Sequence, residues 1–263
     1  MAVATVVGCA SPAIKVTEVI EQGQPSYRIE TPSATWVYHR EGGGFSALLD
    51  PAGNDWIAYR PTGGAAGNFR GIPNAVFRRQ QEGNNFFHPG HAGPKGSETK
   101  IVGAEPTRVL LRSQSRDKRW TAEWEVLPDR ANLRFTEVPK EDDTFWFLYE
   151  GTPGGRFEPA DLCLRPGGVV TPLSERWEAT MKDVPWVAFI SPARKHSLLL
   201  IAHAPPDVAV SYRPMENAMT VFGFGRKLND LNGQLRGKLA FTVALLPETE
   251  PAKIAAHAVR LAK

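Results

Sequence analysis

Three short segments of this 263-residue chain gather side chains able to move protons or grip polar groups. The first runs Phe69-Arg70-Gly71-Ile72-Pro73-Asn74 and resumes as Phe86-Phe87-His88-Pro89-Gly90-His91. Pro and Gly restrict the backbone there, so that Arg70, Asn74, His88 and His91 can share one orientation. Arginine offers a fork of donors for a carboxylate or vicinal hydroxyls, and histidine exchanges a proton near neutral pH. The same residues could instead do no more than satisfy loop carbonyls. His88 and His91 stand three apart, but a His-x-x-His pair with no carboxylate nearby is a poor ligand set. No metal and no cofactor are therefore expected.

The second segment is Tyr149-Glu150-Gly151-Thr152-Pro153-Gly154-Gly155. Glu150 ends an otherwise apolar run, on the same face as Trp146 and Leu148. A carboxylate partly withdrawn from water has its pKa raised, which suits general acid or base work. The third segment, Tyr212-Arg213-Pro214-Met215-Glu216-Asn217, again sets Tyr, Arg and a carboxylate beside a strand. The expected catalytic groups are thus His88, Glu150 and Tyr149. Arg70, Asn74, His91, Tyr212, Arg213 and Glu216 are expected to bind substrate. His203, alone at a strand end, reads as structural. "EGGGF" at 41–45 and "PGGRF" at 153–157 lack the strand–loop–helix setting of a phosphate cradle and read as turns.

The elements that must position these groups are strands. Residues 14–20, 26–30 and 35–40 alternate, and "EGGGFSALLDPAGNDWIAY" reads as strand, turn, strand. Segments 100–104, 107–115, 119–127 and 131–138 follow at the spacing of a sandwich. The stretch 144–150 is apolar on both faces until its end, as a central strand covered on both sides must be. Residues 186–190 and 197–203 read as a hairpin, and 219–224 and 238–246 as further core strands. Only 249–261 is helical in pattern, with Thr249 as its cap. Between 61 and 99 lies a long stretch without apolar periodicity, rich in Gly, Asn, Pro and His, of a length that in a compact domain is usually functional.

Composition agrees with an all-β chain. There are 24 Gly and 22 Pro, 7 Trp and 13 Phe, and charged residues make up 22%. The net charge of +3 and the absence of helix-turn-helix, RNP-type or zinc-finger patterns give no reason to expect nucleic acid. The run Arg112, Arg116, Lys118 and Arg119 reads as a solvated strand face. Val6-Val7-Gly8-Cys9 resembles a lipobox, so residues 1–11 are read as the remnant of a lipoprotein signal and 12–263 as one domain. The expectation is an exported protein, periplasmic or anchored at the outer membrane, touching the membrane only through a lipid on Cys9. Cys163 is then left as a small buried apolar residue, and a monomer is expected.

"FRGIPN", then "FHPGH", then an aromatic strand ending in a polar residue resembles the galactose-mutarotase-like supersandwich, above all the sugar-phosphate mutarotases. The resemblance covers the layout of residues 40–245. Those proteins carry Arg-Gly-Gly-(Ile/Val)-Pro and His-Gly-Phe where this chain has Arg70-Gly71 and His-Pro-Gly-His. The chain is also similar to uncharacterised exported proteins with "FLYEGTPGG" and "MTVFGFGR" blocks. The resemblance implies an antiparallel β-sandwich with a short C-terminal helix, and a saccharide as partner.

Several activities stay open at this point. Elimination across a uronate would use Arg70 and Asn74 on the carboxylate and His88 or Tyr149 as base. Ring opening would use Glu150 as base and His88 as acid. Hydrolysis would pair Glu150 with Glu216. The rival class is a non-catalytic glycan-binding lipoprotein in which Trp36, Trp56 and Trp177 stack on sugar rings.

Overall fold

The structure is a computed structural model and describes residues 13–61, 70–77, 85–90, 96–140, 144–215, 218–230 and 233–263. Cys9, Phe69, His91, Glu216 and Asn217 lie outside the described residues. Within them, the chain folds into two antiparallel sheets packed face to face. The first sheet has eleven strands. Nine form its path, in the spatial order Lys15–Glu21, Gln24–Glu30, Thr35–His39, Gly44–Leu49, Gly71–Phe77, Thr144–Gly151, Met219–Phe224, Val208–Met215 and Trp177–Met181. The second sheet has nine strands. It runs Val169–Pro172, Leu162–Arg165, Trp186–Ser191, His196–His203, Ala240–Leu246, Ala131–Glu137, Thr121–Val126, Arg108–Ser115 and Ser97–Glu105.

Alternation along each strand sends one set of side chains inward. Phe145, Phe147 and Tyr149 enter the shared core, whereas Trp146 and Leu148 form a separate pair on the opposite face. Rings bridge the two sheets. Phe147 stacks on Phe241 at 4.1 Å between centroids, and Phe45 meets Trp124 edge-on at 4.8 Å. Such pairs contribute about 0.5–1.5 kcal/mol each beyond the area they bury. Cys163 is fully buried in the same core.

Three expectations change. The stretch 61–99 contains a central strand, Gly71–Phe77, so "GIPNA" is part of the sheet rather than a loop. Among the described residues, the segment after the Pro51–Asn54 turn forms no regular strand. It meets Gly44–Leu49 through the bridge Leu49–Asp55 and the Trp56 and Tyr59 N–H groups, which donate to the Leu48 and Ser46 carbonyls. The helix spans Pro251–Leu261, with Glu250 and not Thr249 at its N-cap. Pro251 supplies the fixed φ of the first turn, and the Glu248 carboxylate accepts the Thr249 and Glu250 N–H groups instead. Ile254 and Ala258 of this helix cover Leu199, Ile201 and Ala244 on the outer face of the second sheet.

Candidate functional site

The site lies on the outer face of the first sheet, where Gly71–Phe77, Thr144–Gly151 and Met219–Phe224 are neighbours. Glu150 pairs with Gly71 on one side and Val221 on the other. Between Asn74, opposite Leu148, and Gly71, opposite Glu150, the first of these strands carries one extra residue. This bulge re-aims the side chains. Period-two alternation would put Asn74 on the inward face of Ile72, but with the bulge Ile72 stays in the core and Asn74 turns out beside Glu150. Asn74 Nδ2 donates to Glu150 Oε2 at 2.6 Å, while Asn74 Oδ1 is buried with no partner among the described residues.

His88 reaches Glu150 from the segment 87–90, which lies across the sheet on a floor of glycines. A Cβ on Gly44 would stand 2.8 Å from Pro89 Cδ, and one on Gly71 would stand 2.5 Å from the same atom and 3.1 Å from His88 Cδ2. Only glycine at these two positions lets His88 and Pro89 approach so closely. The His88 N–H donates to the Gly42 carbonyl at 2.9 Å. "EGGGF" is therefore a turn, as expected, and also the bed of the histidine segment.

The geometry fixes where the His88 proton sits. The Gly90 N–H donates to His88 Nδ1 at 3.0 Å, so Nδ1 holds a lone pair and the proton of the neutral ring is on Nε2. That Nε2 stands 3.9 Å from Glu150 Oε2. Glu150 is 7% exposed. Burial pushes its carboxyl up to about 7, against the smaller opposing effects of the Asn74 hydrogen bond and the charges of Arg226 and Arg213. Arg226 is buried over the Trp146 ring at 5.5 Å, and Trp146 Nε1 has no hydrogen-bond partner among the described residues. Arg213 is exposed and lies in register with Val221 and Glu150, two strands or roughly 10 Å across the sheet.

The structure thus brings Asn74, His88, Glu150 and Arg213 onto one face. It separates Tyr149 and Tyr212 from them, because both rings point into the core. Tyr149 OH donates to the Trp56 carbonyl at 2.5 Å and Tyr212 OH to the Leu173 carbonyl at 2.6 Å. Burial holds both phenols well above their ordinary range. The expectation of Tyr149 as a base and Tyr212 as a substrate ligand is corrected on this ground. Arg70 is buried and ties the Ala58 carbonyl to the Ala218 carbonyl, at 3.3 Å each, bracing the wall of the site. Trp36, Trp56 and Trp177 are core residues and offer no surface platform. His203 lies on the second sheet, bonded through Nε2 to Thr242 at 2.9 Å.

Sequence reasoning placed Trp146 on the face of Glu150 but missed His39, Tyr59 and Arg226 as members of this neighbourhood. For Arg226 a signal existed, since it closes the "MTVFGFGR" block. His39 and Tyr59 carry no local motif, because only tertiary packing brings them to Pro89 and His88.

No protein-family model matches the chain, and no curated protein matches its sequence. Solved structures do. A putative mutarotase, YeaD, from Salmonella typhimurium superposes with a TM-score of 0.56 at 8% identity, over 89% of this chain and 94% of that one. A galactose mutarotase-like protein from Lactobacillus casei gives 0.52 at 13% identity, over 84% and 99%. The chain has the galactose-mutarotase-like fold. The same sandwich matches 37% of the chain of an alpha-N-acetylgalactosaminidase, NagBb, from Bifidobacterium bifidum, with a TM-score of 0.56 at 13% identity over 88% of this chain. The galactose-mutarotase-like sandwich therefore also occurs as a part of larger carbohydrate-related proteins.

Proposed function

We propose that this protein catalyses proton transfer on a sugar bound over Glu150, opening the ring at its anomeric carbon. The observation that carries this reading is a buried carboxylate titrating near neutrality beside an imidazole whose N–H faces it. A base with a pKa close to the working pH combines availability with proton affinity. Glu150 takes the proton of the anomeric hydroxyl, and the electrons left on O1 form the C1=O1 bond as the C1–O5 bond breaks onto O5. His88 Nε2–H donates a hydrogen bond to O5 and stabilises its developing charge, and the protonated Glu150 returns the proton to O5. Rotation about C1–C2 followed by the reverse steps gives the other anomer, with no net change in protons. A neutral imidazole used as a hydrogen-bond donor has precedent in enzyme mechanisms. Asn74 Oδ1 and Trp146 Nε1 supply an acceptor and a donor for sugar hydroxyls.

No observation favours elimination, because His88 Nδ1 is occupied by the Gly90 N–H and Nε2 carries the proton. On the pattern Val6-Val7-Gly8-Cys9, we also place the protein outside the cytoplasm as a lipoprotein acylated at Cys9, to be checked by mass spectrometry of the protein purified from membranes.

The test is magnetisation-exchange NMR of anomer interconversion over a panel of neutral, phosphorylated and uronic sugars, comparing the wild type with Glu150→Gln. Enzyme-dependent exchange that the variant loses supports the reading. Binding without exchange in either protein would turn it to a sugar-binding role. A new unsaturated product absorbing in the ultraviolet would replace it with elimination.

A further inference from the structure

We propose that His39 is a positioning residue that fixes the protonated nitrogen of His88 through the single peptide unit joining Pro89 to Gly90. The inference rests on the reading that Glu150 and His88 are the proton-handling pair, and it adds a residue to which neither motif nor fold assigns a role.

His39 ends the strand Thr35–His39, and its side chain is fully buried. Its Nδ1 stands 3.0 Å from the Pro89 carbonyl oxygen. A carbonyl only accepts, so Nδ1 carries the hydrogen. Burial holds His39 below the ordinary histidine pKa, so the ring is neutral and its Nε2 keeps a lone pair, which has no partner among the described residues. His39 and His88 are therefore locked in opposite tautomers.

One peptide plane connects them. The Pro89 carbonyl and the Gly90 N–H belong to the same trans unit, where C=O and N–H point in opposite directions. His39 grips the oxygen on one side, and on the other side the N–H is aimed at His88 Nδ1 at 3.0 Å. A donor on the oxygen also polarises the amide and strengthens its N–H as a donor. The unit is held from below by the contacts of Pro89 with Gly44 and Gly71. Tyr59 packs edge-on against both rings, with centroids 5.1 Å from His39 and 6.4 Å from His88. The consequence is at the far nitrogen. With Nδ1 occupied, His88 presents Nε2–H to Glu150.

The experiment is long-range proton–nitrogen NMR on the full chain labelled at histidine nitrogen, which reports each tautomer without substrate. The wild type is expected to show His39 as the Nδ1–H form and His88 as the Nε2–H form. His39→Phe keeps a ring against Tyr59 but removes the donor, and His88 should then become a mixture of tautomers. His39→Asn, whose Nδ2 can take the place of Nδ1, should restore the single form. Under the proposed activity, His39→Phe lowers kcat by between about 10- and 100-fold with KM little changed, and His39→Asn recovers most of it. A His88 that stays entirely Nε2–H in His39→Phe, or a wild-type His39 protonated on Nε2, overturns the inference. If His39→Phe does not fold, the wild-type tautomers and the His39→Asn result still decide it. An absence of sugar chemistry altogether would sink the functional reading and leave the tautomer result standing by itself.

Discussion

Glu150 and Glu123 are carboxylates of nearly equal exposure, 7% and 8%, each on the outer face of one of the two opposed sheets. Their titrations move in opposite directions. Burial raises both, but Arg112 and Arg134 bond to Glu123 at 2.7 and 3.0 Å and carry it below the usual range. Those arginines are themselves 54% and 67% exposed, so Glu123 is covered by its own partners at the rim of an open groove of about 730 Å³. Glu150 has an amide as its bonded partner, and Arg226 and Arg213 act on it as charges. Its own pKa therefore stays high. The two sites show that carboxylates of nearly equal surface exposure can titrate apart. Glu123 is covered by its own half-exposed arginines, whereas Glu150 lies deep in its sheet face with an amide as its bonded partner.

The largest expected effect is on turnover. Glu150→Gln keeps the shape of the side chain and a partner for Asn74 but removes the base. Loss of a general base costs roughly 10²- to 10⁴-fold in rate, to be read as kcat in the exchange assay. Glu123→Gln in the same assay should leave kcat unchanged.

Stability against pH should separate the two carboxylates next. The folded pKa of Glu150 lies above its ordinary value, so its favourable contribution is complete below pH 4.5 and is lost as pH rises through about 7. A shift of that size corresponds to roughly 3 kcal/mol at 1.36 kcal/mol per unit. Urea unfolding at pH 5 and pH 8 should show the wild type losing stability over this range and Glu150→Gln losing much less. For Glu123 the folded pKa is lowered, so its contribution is present above pH 4.5 and is lost as pH falls through the lowered value.

Asn74→Leu sharpens the same contrast from the side of the partner. Without the 2.6 Å hydrogen bond the charged form of Glu150 loses support, and its pKa rises further. A hydrogen bond to a charged group is worth about 1.5–3 kcal/mol, so the acidic limb of the pH–rate profile should move up by roughly one to two units. The smallest effect belongs to Glu123→Gln. Its arginines are half-exposed and screened by solvent, so chemical unfolding should show a loss of at most about 1 kcal/mol that shrinks in high salt.

The sandwich was legible because alternation and turn residues act locally. The double-sided apolar run at Thr144–Gly151 marked its central strand, and Glu150 at the end of that run marked the site. Gly71–Phe77 was not legible, since the bulge that turns Asn74 outward breaks the period on which strand reading depends. Tyr149 sits next to Glu150 in sequence, yet strand alternation sends it to the opposite face, where its hydroxyl serves the core. His39 lay hidden for a different reason. Its role depends on a carbonyl fifty residues away, a contact that no spacing along the chain encodes.

The most direct test of the central claim is a pH titration of the Glu150 carboxyl carbon by NMR in the full chain, assigned by its absence in Glu150→Gln. An inflection near 7 is expected. An inflection near the ordinary glutamate value of 4.5 would mean that the carboxylate is fully ionised at neutral pH and is not the poised base described for this face.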